Sequence, residues 1–228
     1  MARIFFTLAL VACSLLTMDL FFGYWVGDYN KVAGQIKRAA RDLDKLRQSP
    51  SVDEDVLRAA QQELNAAASG HQPLVYRMTM HRWIGIVAVL ITVLVNSVSV
   101  TYFIGTSRWC KEVSDTYALE PRFAEDSARL KSKTFPFSFS SLMICLAVVV
   151  TGGAADPDNS VVESTMPWVT PHHLVALLGS LWIGWSFLVQ VGRIGANYEI
   201  IEQIVERVDE IRTRAETASE VSQRLESE

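Results

Sequence analysis

The chain has 228 residues, of which 50% are hydrophobic and 20% are charged, and its formal net charge is -4 at pH 7. This weakly acidic balance, without a basic stripe, argues against a nucleic-acid-binding protein, because such proteins usually carry a basic face. Three cysteines, Cys13, Cys110 and Cys145, are too few for a disulfide framework. Mean hydropathy is only +0.19, because strongly charged segments separate long apolar ones.

Four apolar runs are long enough to cross a bilayer, and they cover residues 4–26, 83–104, 135–155 and 174–192. A spanning helix needs about 20 apolar residues, because each residue adds about 1.5 Å of rise across a core of about 30 Å. The first run continues well beyond Cys13, unlike a cleaved signal peptide, so we interpret it as an uncleaved helix with lipidation at Cys13 as the alternative. We therefore predict an all-α protein, a four-helix transmembrane bundle.

Charges near the spans predict the orientation. We place the spans at residues 1–26, 83–105, 135–155 and 174–193, the connections at 27–82, 106–134 and 156–173, and a tail at 194–228. The loop 156–173 contains Asp156, Asp158 and Glu163 but no Lys or Arg, whereas 106–134 contains six Lys and Arg residues. Lys and Arg near spans mark the cytoplasmic side, which predicts cytoplasmic termini in a plasma or inner cell membrane. The nine Lys and Arg residues of 27–82 oppose this orientation, although many lie far from a span.

The segment 27–82 has the pattern of an extracytoplasmic helical hairpin. Apolar residues recur at helical spacing until Ser49-Pro50, and a second helix is predicted to begin at Ser51, which has Glu54 at capping-box spacing. Ser69-Gly70 is predicted to end that second helix. On the other side, 106–134 is predicted to form an amphipathic connection that rests in the headgroup layer or caps the bundle, with Cys110 exposed.

Apolar residues of the tail recur at threes and fours from Ile194 to Leu225, which predicts a coiled-coil-like helix. Such a stripe needs a cover, so we expect a homo-oligomer or a partner helix bound through residues 198–228. The alternative is a frayed end over 215–228, where the residues are small and polar.

Polar stripes on the spans are predicted to form interhelical hydrogen bonds rather than a channel, because no acid or base lies on them. The stripes are Thr92, Asn96 and Ser99 on the second span, and Ser138, Ser141 and Cys145 on the third. A stripe of small residues on the last span, Ala176, Ser180 and Gly184, is predicted to permit close helix packing.

Asp19 is the only acid inside the apolar runs. A carboxylate within a span costs roughly 3 kcal/mol on insertion scales, so it should be protonated, paired or exposed to water. Arg82 is the predicted partner of this intramembrane charge, because its long side chain can reach inward from the end of the second span. A structural ion pair, a proton relay and an assembly contact are all open readings.

All four histidines, His71, His81, His172 and His173, fall on the predicted outer face. Thr170-Pro171 places His172 and His173 in the first turn of the last helix, where the helix dipole disfavours a protonated imidazole. His81, His172 and His173 are therefore candidate cofactor ligands for haem b. With Met78, Met80 and Met166 they are also a candidate set for copper. The competing interpretation is that the histidines form hydrogen bonds and the methionines fill space.

Two hypotheses for the function remain open. The first is a non-catalytic scaffold, assembly or signalling protein in the lipid bilayer, which explains both helical extensions. The second is a haem- or copper-binding subunit for electron transfer or metal handling, with Asp19 or Asp156 in support. We favour the first, and an enzyme is the less expected class, because the sequence contains no phosphate loop, zinc-protease helix or nucleophile motif.

Overall fold

The computed structural model describes residues 2–49, 51–159 and 164–227, and over these residues the chain is helical without a strand. The five helices are α1 (Ala2–Trp25), α2 (Tyr29–Gln48), α3 (Glu54–Thr116), α4 (Arg122–Ala155) and α5 (Met166–Ser227). All but α2 are long and apolar enough to cross a membrane. The prediction of an all-α chain with four such helices is confirmed. Pro50 and Glu163 of the predicted connections lie outside the described residues.

Helix α3 is longer than predicted. It runs for 63 residues through Ser69-Gly70 and Pro73, so the predicted end at Ser69-Gly70 is wrong. Gly and Pro cost roughly 1 and 3 kcal/mol in a helix interior, and the long flanking segments offset that cost. The cap also differs from the prediction, because Oδ1 of Asp53, not Ser51, accepts the backbone N–H of Asp55 at 3.1 Å.

The predicted connection at 106–134 consists mainly of the end of α3 and the beginning of α4. The turn between them covers residues 117–121, and Ala118 adopts a φ of 52° there. The Leu119 backbone N–H donates to the Ser114 carbonyl at 2.9 Å, which satisfies one of the last carbonyls of α3.

The chain divides into two compact units, each built from parts of several helices. The first, which we call the tail unit, comprises Met1–Ala9, Leu94–Leu142 and Gly184–Glu228. The second, which we call the histidine unit, comprises Leu10–Val93 and Met143–Ile183.

A buried network of polar side chains joins α3, α4 and α5 within the tail unit. The Gln190 amide donates to Asn96 at 3.2 Å and to Ser186 at 3.0 Å, and its carbonyl accepts from Ser138 at 3.2 Å. Ser141 donates to Ser186 at 3.0 Å. The predicted interhelical hydrogen bonds of Asn96, Ser138 and Ser141 are therefore confirmed, and Gln190 is the connecting residue that the sequence did not reveal.

A second polar cluster lies further along α5. Asn197 accepts from the Ser127 hydroxyl at 2.8 Å and donates to Thr106 at 3.0 Å, so it joins the same three helices. These two carboxamides fix the register of α5, because a shift of one residue would leave both groups without partners.

Part of the apolar stripe on α5 packs against the chain itself. Ile204 forms a buried cluster with Cys110 of α3 and Phe123 of α4. The prediction that Cys110 is exposed is wrong, since this residue is fully buried, and its burial raises the pKa of the thiol. Residues 211–225 are all exposed, so the predicted partner of the tail stays a prediction for that segment.

We expect Ile204→Ala to make Cys110 reactive, because deleting a buried isoleucine side chain typically costs about 2–5 kcal/mol and opens this cluster. The rate of maleimide labelling of the purified protein, with Cys13 and Cys145 replaced by alanine, measures the change. Val205→Ala is the matched control, since Val205 is 45% exposed. Equal labelling rates in the two variants would contradict the packing of α5 on Cys110.

We expect Gln190→Leu to lower the free energy of unfolding by roughly 1 kcal/mol, because an interhelical hydrogen bond in a membrane contributes about 0.6 kcal/mol on average and two, with Asn96 and Ser138, are lost. Unfolding in sodium dodecyl sulfate, followed by circular dichroism, measures the change. Leu188→Ala serves as control, since this neighbour is exposed and should change stability by less than about 0.5 kcal/mol.

Candidate functional site

The histidine unit contains a cavity of about 360 Å³, lined by residues of all five helices. Its walls are mostly aliphatic, and Ala176 and Ser180 of the predicted small-residue stripe are among the lining residues. Seven titratable side chains also line it: Asp19, Asp156, His81, His172, His173, Arg82 and Cys145. A small apolar cavity with a few convergent polar groups is the usual form of a binding site for a small molecule or cofactor.

Asp19 and His81 form the first polar contact of the cavity. Oδ1 of Asp19 lies 2.8 Å from Nδ1 of His81, and the two side chains are only 15% and 19% exposed. The contact lacks the alignment of a hydrogen bond, and neither atom has a hydrogen-bond partner in the described part of the chain. The two atoms are close enough for a hydrogen bond, and a rotation of the imidazole ring would be needed to align Nδ1 as its donor.

Glycines make room for this contact. A Cβ at Gly85 would lie 3.2 Å from Oδ1 of Asp19, and a Cβ at Gly23 would lie 3.0 Å from Cε1 of His81. Such distances are shorter than ordinary van der Waals contact, so larger residues at 23 and 85 would push the two side chains apart.

His172 is held in a similar way by α4. Its Nδ1 lies 3.3 Å from the Thr151 hydroxyl. A Cβ at Gly152 would approach Cε1 of His172 to 3.0 Å. Each of the two histidines thus has a polar partner beside Nδ1 and a glycine on the neighbouring helix.

The rings of His81 and His172 are neighbours across the cavity. Their centroids are 6.3 Å apart and their planes meet at 63°. His173 is more exposed than His172, and its ring centroid is 6.0 Å from that of His172. The structure therefore brings together all three histidines that were predicted as cofactor ligands.

Arg82 does not pair with Asp19, so the predicted ion pair is wrong. Its guanidinium instead contacts Asp156 at 2.8 Å and Asp158 at 3.7 Å. The reason is helical geometry, because consecutive residues point about 100° apart and His81 already faces Asp19. Asn30 and Lys37 of α2 donate to the carbonyls of Ala155 and Pro157, so the loop after α4 is fixed at several points.

Of the predicted methionine ligands, only Met78 lines the cavity, while Met80 and Met166 do not. His71 is also outside the cavity, where its ring stacks on Tyr29 at 5.1 Å. Among the described residues, no group of three or more His, Cys, Asp or Glu side chains is arranged to hold a metal ion.

Comparisons of the chain with protein-family models, with curated proteins and with solved structures give no match.

We expect Gly152→Ala to displace His172, because the added methyl group would lie 3.0 Å from the ring, whereas a methyl group at Gly153 would meet nothing within 4 Å. Replacing a helical glycine by alanine alone gains up to about 1 kcal/mol. Gly153→Ala should therefore raise the melting temperature, and Gly152→Ala should fall below it. Equal melting temperatures of the two variants would contradict the close contact of His172 with α4.

Proposed function

We propose that this chain is a multi-pass membrane protein that binds haem between His81 and His172 and takes part in electron transfer. The observation that carries the proposal is the arrangement of these two rings, which lie on different helices with a centroid distance of 6.3 Å. Imidazole nitrogens bind metals at about 2.0–2.1 Å, so two rings on opposite sides of one ion have centroids roughly 6 Å apart.

The partners of Nδ1 support the same role. A histidine that ligates a metal almost always uses its other ring nitrogen to contact a carboxylate, a carbonyl or water. Asp19 lies close to Nδ1 of His81, and Thr151 lies close to Nδ1 of His172. Nε2 of each ring is thereby left as the atom available for a ligand.

The number of ligands favours haem over a bare ion. Zinc sites need at least three protein ligands and blue-copper sites need His and Cys together. No such set is assembled among the described residues. The porphyrin supplies four nitrogens of its own, so haem iron requires only one or two side chains. Copper remains the alternative that metal analysis separates from haem.

The aliphatic walls of the cavity suit a flat apolar cofactor. Arg82 also lines the cavity, and its guanidinium is paired with Asp156 and Asp158. When bound, haem supplies one-electron chemistry, while this chain orients the imidazoles and excludes water.

The location in a plasma or inner membrane and the cytoplasmic side of the termini are part of this proposal, and they are supported by the distribution of Lys and Arg. The exposed residues 211–225 of α5 support the scaffolding hypothesis. A homo-oligomer or a partner helix bound through this segment stays a prediction.

We expect the full chain, expressed with a supply of haem and purified in detergent, to contain stoichiometric haem with a Soret band. His81→Ala and His172→Ala should each abolish the six-coordinate spectrum, because each removes an axial nitrogen. Optical spectroscopy and metal analysis of the same samples make the measurement.

Two other histidines provide matched controls. His71→Ala should keep the spectrum, since its ring stacks on Tyr29 outside the cavity. His173→Ala should also keep it, since the proposal gives this more exposed ring no ligand role. A wild-type protein without haem would refute the proposal, and stoichiometric copper in its place would support the alternative.

A further inference from the structure

We infer that Asp19 is a positioning residue for His81, and that its carboxylate sets the ring nitrogen and the electron-donor strength with which His81 binds the haem iron. This inference rests on the proposed function of the cavity. It assigns to a single intramembrane acid a role in tuning the cofactor rather than in holding the helices together.

The geometry restricts what Asp19 can do. Its Oδ1 is buried, lies 2.8 Å from Nδ1 of His81 and has no hydrogen-bond partner in the described part of the chain. The nearest arginine along the sequence of α3, Arg82, is engaged with Asp156 and Asp158. His81 is therefore the one polar side chain of the described cavity that is within contact distance of this oxygen.

A neutral imidazole has one N–H group and one lone pair. If the N–H is at Nδ1 and points to Asp19, the lone pair is at Nε2, which is then the nitrogen that can bind a ligand. The contact between Asp19 and His81 is close but is not aligned as a hydrogen bond. A ligand at Nε2 would fix the rotation of the imidazole ring, and this rotation would align Nδ1 with the carboxylate. The carboxylate would also make His81 a stronger donor, because a negative neighbour increases the electron density of the ring.

The cost of the residue argues against a purely structural role. A carboxylate inside a span costs roughly 3 kcal/mol on insertion scales. An apolar residue would serve helix packing better, and the three atoms nearest to a Cβ at Gly85 all belong to this carboxylate group. Because the Asp19 carboxylate costs free energy within the span and contacts the His81 imidazole, we attribute its presence to its effect on that imidazole.

The test uses the full chain in detergent and compares Asp19→Ala, Asp19→Asn and Asp42→Asn with wild type. Haem affinity should fall 10- to 100-fold in Asp19→Ala, the range typical of lost outer-shell partners. Asp19→Asn retains an acceptor without charge, so it should restore much of the affinity. Both Asp19 variants should have a more positive reduction potential, because the negative charge that favours ferric iron is gone.

Asp42→Asn is the matched control, since it removes the same charge from a side chain that is 69% exposed and lies outside the cavity lining. It should leave affinity and potential as in wild type. The apo form of Asp19→Ala should melt at or above the wild-type temperature, which distinguishes a lost ligand partner from a misfolded protein. A lower melting temperature with an unchanged potential would overturn the inference in favour of a structural ion pair.

The outcomes for the two proposals are separable. A wild-type protein that binds no haem refutes the proposed function, and this inference with it. A wild-type protein that binds haem through His81 and His172, with the same affinity and potential in Asp19→Ala, refutes the role of Asp19 alone.

Discussion

Hydrocarbon offers no hydrogen bonds, so every polar group inside an apolar span must find its partner within the protein. Among the described residues, buried polar side chains meet in two kinds of arrangement, although Oδ1 of Asp19, Nδ1 of His81 and the Ser99 hydroxyl have no hydrogen-bond partner there. In the tail unit, Gln190 satisfies side chains from three helices at once, and Asn197 repeats the arrangement further along α5. In the histidine unit, the polar groups converge on a cavity instead. In the tail unit, the two carboxamides form hydrogen bonds with other side chains of the protein. In the histidine unit, ring nitrogens of the histidines stay available to a ligand.

Glycine is what allows the second arrangement. Gly85, Gly23 and Gly152 face Asp19, His81 and His172, respectively, at distances that a methyl group would not tolerate. Gly179 has the closest approach of all, with a Cβ position 2.5 Å from Ile144. Close packing at Gly179 brings α4 and α5 together, although the sequence pattern had indicated the neighbouring stripe of Ala176, Ser180 and Gly184. Of these four glycines, Gly179 permits close packing of two helices, and the other three make room for polar side chains.

The sequence predicted the number of long apolar helices, the buried Asn96, Ser138 and Ser141, and the convergence of His81, His172 and His173. These features follow from hydropathy, residue type and position along a span, all of which are local properties. The partner of Asp19 could not be predicted, because Arg82 and His81 are adjacent in sequence and only the rotation of α3 decides which one faces α1. The burial of Cys110 was missed for a related reason, since α5 covers it from more than ninety positions away. The missed Gln190 lies among apolar residues, where an isolated amide gives no periodic signal.

Two histidines in a cavity could also be a hydrogen-bonded pair without a ligand, and the separation of their rings bears on that alternative. A pair of this kind would satisfy its ring nitrogens with each other. His81 and His172 contact separate groups on different helices, Asp19 and Thr151, and their rings stay 6.3 Å apart. That separation is too long for a direct hydrogen bond between most ring orientations and close to the separation that a shared metal requires. A buried carboxylate on one ring and a hydroxyl on the other would further make the two ligands unequal in donor strength, which is a means of setting a redox potential within a largely apolar site.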